Sequence, residues 1–390
     1  MISTTENLEP LRLDDELWEE LMDITQGAIS PCYQCGVCTA TCPWGVIRED
    51  TFNVRTLIRN AQVGSMEGFD ALWTCTSCAQ CESTCPRGVP IAEIMRGLRY
   101  VLWKQRDLLE GLPSTLWSIF WNNNPWSQPP SQRAQWAQKL DLPLFNASQH
   151  EVLLYVGCTP SYDRRAQQIS YALVDCLSSA GVAFGILGEE EPCCGESVLS
   201  LGHKPYFQEL VTQASEIFLE KGVTKIVTIS PHCYDVFLNH YPRSDNGFEP
   251  MHYTQYLANL IEESRLIIPQ SLEKKITFHD PCFLGRWNQE YEAPRNILQS
   301  IPDLTLVEME RHGPEALCCG GGGGRMWMET PIGERFSDAR VIEAQATGAH
   351  TIATACPYCI TCLEDSIKAQ NLKDLEILDI AEIVALAIER

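Results

Sequence analysis

The feature that most restricts this chain is a cysteine spacing that occurs twice. Cys32, Cys35, Cys38 and Cys42 follow C-x2-C-x2-C-x3-C with Pro43 next, and Cys75, Cys78, Cys81 and Cys85 repeat it before Pro86. Cysteines number 19 among 390 residues, too many to be incidental. Residues 1–10 are acidic and polar, without the basic start and apolar run of a secretory signal. The expectation is a cytoplasmic chain with reduced thiols, in which clustered cysteines read as metal ligands rather than disulfides. Three thiolates two residues apart can wrap one face of a cube-shaped [4Fe–4S] cluster. The fourth ligand must come from elsewhere, and proline turns the chain after it. Paired structural zinc is the rival, but zinc needs only four cysteines and no third C-x2 step.

The doubled run resembles that of bacterial ferredoxins, in which the fourth cysteine of each run ligates the other cluster. The resemblance implies one cubane on Cys32, Cys35, Cys38 and Cys85, and a second on Cys75, Cys78, Cys81 and Cys42. The 32 residues between Cys42 and Cys75 exceed what a compact small ferredoxin holds. Val54, Leu57, Ile58 and Ala61 recur at helical spacing in 52–62, and 91–102 and 13–24 read similarly. Two clusters held between helices are therefore expected. Arg55 and Arg59 share one helical face, read as solvated.

Composition narrows the class. The chain is 45% apolar and 21% charged, hence globular, and its length suits two or three domains at roughly 100–200 residues each. With 51 acidic against 29 basic residues the net charge is −22, which argues against nucleic acid as a partner. No apolar run approaches the roughly 18 residues that a membrane span needs. Residues 101–150 hold Trp103, Trp117, Trp121, Trp126 and Trp136 among prolines, and read as a connector whose tryptophans pack between domains.

From residue 151 the sequence repeats itself at an offset of 124 to 127 residues. A β-like run (152–156, then 276–278) leads to Cys158 and to His279-Asp280-Pro281-Cys282. Cys193-Cys194-Gly195 answers to Cys318-Cys319-Gly320. A second β-like run (225–229, then 351–354) leads to Ser230-Pro231-His232-Cys233 and Cys356-Pro357-Tyr358-Cys359. Helical stretches at 252–262 and 379–389 close the copies. Strand, loop and helix in this order imply an α/β unit whose parallel strands carry ligands on their C-terminal loops, in two copies about a pseudo-two-fold axis. The expected architecture is α+β multidomain: 1–100 helical, 101–150 connector, and duplicated α/β domains at 151–265 and 275–390. Adjacent cysteines diverge and cannot easily serve two corners of a compact cube, so Cys318 and Cys319 suit a more open iron–sulfur cluster. The run Gly320 to Gly324, with Gly320 and Gly321 next to the thiols, lets the backbone approach and its amides donate to sulfur; Gly195 stands alike in the first copy. A nucleotide loop is the rival there, but no Lys-Ser/Thr follows. Cys176 and Cys362 fall in helical sequence and read as buried small hydrophobes.

HDPCFLGRW, LCCGGGGGRMW and TACPYC together resemble the cysteine-rich CCG domain of the heterodisulfide reductase family. Residues 30–390 resemble its fused form, an α-helical ferredoxin module followed by two CCG domains. Similar chains serve electron-transfer flavoproteins and membrane-linked reductase complexes. The resemblance implies a noncubane [4Fe–4S] cluster on Cys282, Cys318, Cys319, Cys356 and Cys359. The first copy departs from it: Cys158, Cys193, Cys194 and Cys233 are present, but Ser230 stands where Cys356 does. A four-cysteine cluster, a zinc ion and a serine-ligated variant stay open there.

Two functions follow. One is an oxidoreductase that reduces, or in reverse forms, a disulfide of a thiol substrate at the second copy. There His279 and His232 either supply protons or support the cluster through hydrogen bonds. The other is an electron relay without a substrate of its own. Either requires an electron-donor subunit, whether a flavoprotein, a hydrogenase or dehydrogenase, or a membrane cytochrome, and through it peripheral contact with a membrane. A purely structural zinc protein is disfavoured by the doubled run.

Overall fold

Each half of the duplication closes into its own four-stranded sheet. The computed structural model describes residues 14–48, 52–242, 247–331 and 333–388. In the first copy β1 (Val152–Tyr155), β2 (Phe184–Gly185), β3 (Lys225–Thr228) and β4 (Glu249–His252) lie parallel in the order β2-β1-β3-β4. In the second, β5 (Lys275–Phe278), β6 (Thr305–Val307), β7 (Thr351–Thr354) and β8 (Glu376–Asp379) take the order β6-β5-β7-β8. The inner strands β1 and β7 are buried along their whole length, as parallel strands covered on both faces must be. Strand order reverses between β1 and β3 and between β5 and β7. Such a reversal opens a crevice beyond the carboxyl ends of the strands, and the cysteine loops leave from those ends.

The outer strands have no counterpart in the sequence reading. Glu249–His252 carries a proline and Glu376–Asp379 two acids, so neither shows an apolar run. Each is a strand because the inner strand beside it offers an unpaired ladder of backbone groups. The closing helices begin later than expected, at Tyr253 and Ile380, behind matching capping boxes built by His252 with Gln255 and Asp379 with Glu382. The second ends at Ala387; residue 389 lies outside the described residues.

The two copies pack reciprocally. Helix Gln167–Ser179 of the first lies on Ile380–Ala387 of the second, and Glu292–Gln299 of the second lies on Tyr253–Glu262 of the first. Equivalent helices exchange roles, which is the expected pseudo-two-fold. At this seam Tyr253 donates to Asp379 Oδ1 at 2.5 Å, while Asp379 Oδ2 is buried without a partner. Burial pushes the Asp379 carboxyl up to about 8. The folded chain therefore keeps a proton there that the unfolded chain releases near pH 4, and stability falls as pH rises from about 4 to about 8. The full effect is on the order of 5 kcal/mol. Asp379→Asn should flatten the decline in melting temperature between pH 5 and pH 8; parallel profiles for variant and wild type would refute the assignment.

The N-terminal part is helical: Asp15–Ile24, Val54–Gln62 and Ile91–Gln105, with single turns at Val37–Ala40 and Gln80–Ser83 inside the cysteine runs. The first helix opens at Asp15 with Asp14 accepting from the Leu17 amide, and residue 13 lies outside the described residues. Val54, Leu57, Ile58 and Ala61 are buried, whereas Arg55 and Arg59 face solvent, as their spacing predicts. This core is continuous with Leu201, Phe283 and Phe336, so the helices dock on both copies. Trp103 donates to Leu201 O at 2.7 Å, Trp126 meets Trp327 edge-on, and Trp136 is buried. Trp117 and Trp121 do not pack between domains: on helix Leu112–Asn122 they are 60% and 71% exposed.

Candidate functional site

Two thiol-lined cavities occupy the helical part. Cys32, Cys35 and Cys38 share one with Cys85, and Cys75, Cys78 and Cys81 share the other with Cys42. The fourth cysteine of each run thus crosses to the other run. The crossing is tied by the hydroxyls of Thr41 and Thr84, which immediately precede Cys42 on one run and Cys85 on the other and stand 3.0 Å apart. Neither cavity has a carboxylate or an imidazole in its wall; beside the thiols the only side chains with a lone pair to offer are the neutral Tyr33 and Gln34 in one, and Thr76 and Ser77 in the other. Burial pushes the Cys42 thiol up to about 12 and raises Cys75 and Cys81. Such thiols give up their protons only to a cation, and a sulfur-loving iron core fits this donor set.

In the second copy the five thiols form an unbroken chain. Cys282 lies beyond β5, Cys318 and Cys319 beyond β6, and Cys356 and Cys359 at the start of helix Pro357–Ala369 beyond β7. Cys318 interacts with Cys282 and, across the domain boundary, with Cys78. Cys319 accepts from Cys359 Sγ at 3.3 Å, and Cys359 in turn interacts with Cys356. The adjacent pair does not diverge as expected: Cys318 and Cys319 bond each other, as Cys193 and Cys194 do in the first copy. Cys193 and Cys318 each receive the amide of the glycine two residues on, Gly195 and Gly320, both of which have positive φ. Gly321 serves space instead: a Cβ there would sit 3.0 Å from Cys362 Sγ.

A ring nitrogen of His279 lies within 4.8 Å of the Cys319 and Cys359 sulfurs. Arg340 Nε donates to His279 Nδ1 at 3.0 Å, which leaves the proton on Nε2, buried and without an acceptor. Burial and the Arg340 and Arg286 charges hold this imidazole neutral, well below the usual histidine range. A protonated Nε2 has no lone pair to offer a metal. His232 is the opposite case. It belongs to the first copy, yet its ring bonds Cys356 of the second and lies 3.3 Å from Glu196 Oε1. Burial opposes its charge, but Glu196 and Cys356 outweigh burial and raise it to about 10. Stacking on Phe283 at 3.9 Å fixes the ring.

The first copy brings Cys193, Cys194 and Cys233 together, with Cys158 in electrostatic range of all three. Ser230 does not join them as a fifth donor: its hydroxyl accepts from the His232 amide at 3.3 Å and caps helix Pro231–Asn239. Cys356 at the equivalent position turns its sulfur to the His232 ring and to the thiol and amide of Cys359 instead. Two buried residues that the sequence reading passed over brace this site. Arg133, from the connector, pairs with Glu191 at 2.8 Å, and Glu191 accepts the Val156 and Gly157 amides that lead into Cys158. Asn123 receives the Cys193 amide.

The glycine run has a second use. A Cβ at Gly322 would sit 2.5 Å from Thr76 O, and one at Gly323 2.3 Å from Cys75 O, so these residues let the second copy rest on the Cys75 loop. Cys362 departs from expectation: unlike Cys176, which is buried in its helix, it lines an open cleft with Cys319, Gly320, Arg325, Trp327 and Asp365. No helix among the described residues is long and apolar enough to cross a membrane.

Comparison with known proteins agrees with this geometry. Residues 28–89 match the 4Fe-4S dicluster domain, and residues 152–237 and 276–364 match the cysteine-rich CCG domain. The chain is 39% identical to the probable iron-sulfur-binding oxidoreductase FadF of Bacillus subtilis, over 74% of this chain and 42% of the relative. It is 36% identical to the EtfAB:quinone oxidoreductase of Syntrophomonas wolfei, over 77% and 43%. With one of the subunits of the dihydromethanophenazine:CoB–CoM heterodisulfide reductase of Methanosarcina barkeri it shares 32%, over 68% and 65%. It therefore spans about half to two thirds of the length of these relatives. By its dicluster domain, its paired CCG domains and these relatives, the chain belongs to the heterodisulfide-reductase-like iron–sulfur proteins.

Proposed function

We propose that the protein is an iron–sulfur oxidoreductase subunit that reduces, or in reverse forms, a disulfide at the second CCG domain. Cys32, Cys35, Cys38 and Cys85 would hold one cubane [4Fe–4S] cluster, Cys75, Cys78, Cys81 and Cys42 another, and Cys282, Cys318, Cys319, Cys356 and Cys359 a noncubane one. Bound there, such groups supply single electrons and, at the last, an iron open to sulfur. The observation that carries the reading is the contact of Cys78 with Cys318, which joins a donor set of the helical part to that of the second copy. The cleft beside Cys319 and Cys362 gives a substrate sulfur its approach. His232 is charged at neutral pH and holds a proton one bond from Cys356, whereas His279 stays neutral. With Ser230 occupied as a cap, the first copy offers four thiols, and a four-cysteine cluster suits them better than a serine-ligated one. The electron donor is a separate subunit, through which contact with a membrane would be made.

A second reading, an electron relay between a flavoprotein and a quinone without disulfide chemistry, is favoured by the name of one relative, the EtfAB:quinone oxidoreductase. Low-temperature EPR of the oxidised, anaerobically prepared protein separates the two. Saturating thiol should change the signal of the second CCG domain if sulfur binds there. An unchanged signal leaves the relay.

A further inference from the structure

We infer that Arg286 is a fixed cation shared by the Cys75/Cys78/Cys81/Cys42 site and the second CCG site, and that it raises the reduction potentials of both together. The inference rests on the cluster reading above but not on the disulfide chemistry.

Arg286 lies four residues beyond Cys282, in the turn that leaves β5, and is 6% exposed. Three of its hydrogen bonds go to backbone carbonyls on both sides of the domain boundary. Nε donates to Cys78 O at 2.6 Å, and Nη1 donates to Ala316 O at 2.7 Å and Pro314 O at 3.2 Å. Trp287 beside it donates to Ser77 O at 2.9 Å, so the turn is clamped to the Cys78 loop. The guanidinium cannot swing away.

Nη2 is buried and has no partner. A buried donor left unmade is costly, and a buried cation without an anion more so. The groups that favour its charge are the sulfurs of Cys78, Cys282 and Cys318 and, after them, the Tyr291 phenol, with no carboxylate among them. Cys78 belongs to one donor set, and Cys282 and Cys318 to the other. As metal ligands these sulfurs become the missing anions.

Reduction adds negative charge to a site. A fixed positive charge in a poorly screened interior lowers the energy of that state and so raises its potential. Because one guanidinium borders both donor sets, it moves both potentials in the same direction and leaves the driving force between them nearly constant. A cation beside only one of them would instead open or close that gap.

Arg286→Gln keeps a hydrogen-bonding side chain and removes the charge. In anaerobic redox titrations followed by EPR, both midpoints should fall by at least a tenfold change in electron partition, 59 mV for one electron. The cluster at Cys32/Cys35/Cys38/Cys85 should not move. A shift of one midpoint alone, or of neither, overturns the inference. Should the variant fail to fold, the unaltered protein grown with 15N-arginine decides: pulsed EPR of the reduced sites should show a 15N coupling, and its absence overturns the inference equally. Iron-loaded protein whose signals ignore thiol would sink the disulfide reading and leave this one standing. Wild-type protein free of iron and acid-labile sulfide would sink the cluster reading and this inference together.

Discussion

Replacing Arg99 with methionine should destabilise the protein by on the order of 4 kcal/mol and loosen the helical part from both CCG domains. Arg99, wholly buried in helix Ile91–Gln105, donates to four carbonyls from three parts of the chain. Nη2 reaches Leu72 O at 2.8 Å and Cys75 O at 2.6 Å, and Nη1 reaches Ser200 O at 2.5 Å and Gly323 O at 2.9 Å. No carboxylate among the described residues pairs with it, and burial lowers its pKa to about 10. Methionine fills much of the volume but leaves buried acceptors unpaired, each costing roughly 1–3 kcal/mol; relief of the desolvated charge offsets part of that. Arg99→Lys, with one point of attachment in place of a fork, should fall between the two. Denaturant unfolding of the three proteins measures this directly, and a variant within about 0.5 kcal/mol of wild type would show the fork to be dispensable.

The second large effect belongs to Cys359. Changing it to alanine removes the sulfur that links Cys319 to Cys356, and so cuts Cys356 off from the other three thiols. On the proposed reading the variant should lose the EPR signal of the second CCG domain and its response to thiol, yet keep both N-terminal cubane signals. The structural reason for this separation is that neither cavity of the helical part includes Cys359 in its wall. Iron content and EPR on the same sample test both halves. Loss of all signals would mean that the domains do not load independently, and retention of all would place Cys359 outside the site.

Much of this was readable in the chain itself, because ligand spacing is local. A C-x2-C-x2-C-x3-C-P run prescribes how three sulfurs face one cavity whatever surrounds it, and its recurrence announced two cavities. The crossing of Cys42 and Cys85 came from the resemblance to bacterial ferredoxins, not from the spacing. Burial of Val54, Leu57, Ile58 and Ala61 followed from a period that any amphipathic helix shares. The edge strands β4 and β8 were not legible, since their pairing depends on a neighbour rather than on their own side chains. Nor were Trp117 and Trp121, whose exposure depends on whether another surface arrives to cover them.

The contrast between Ser230 and Cys356 marks the boundary well. The sequence exposed the substitution and raised three alternatives; the hydroxyl turned onto the His232 amide favours one of them. Arg99, Arg133, Glu191 and Arg286 carry no local signature, because each satisfies groups far away along the chain. The same holds for His232, whose neighbour in sequence is Cys233 but whose ring bonds Cys356 of the other copy.

The order of the residues alone thus determined what kind of atom this protein presents and in what groups: soft sulfur donors, in one doubled run and two repeated copies. Only the tertiary structure decided which of those groups adjoin, and it brought Cys78 to Cys318 and His232 to Cys356. The physical reason is range. Ligand spacing acts over a few bonds, whereas adjacency is set by how helices and sheets exclude water together, with buried guanidinium groups tying the carbonyls left over where they meet.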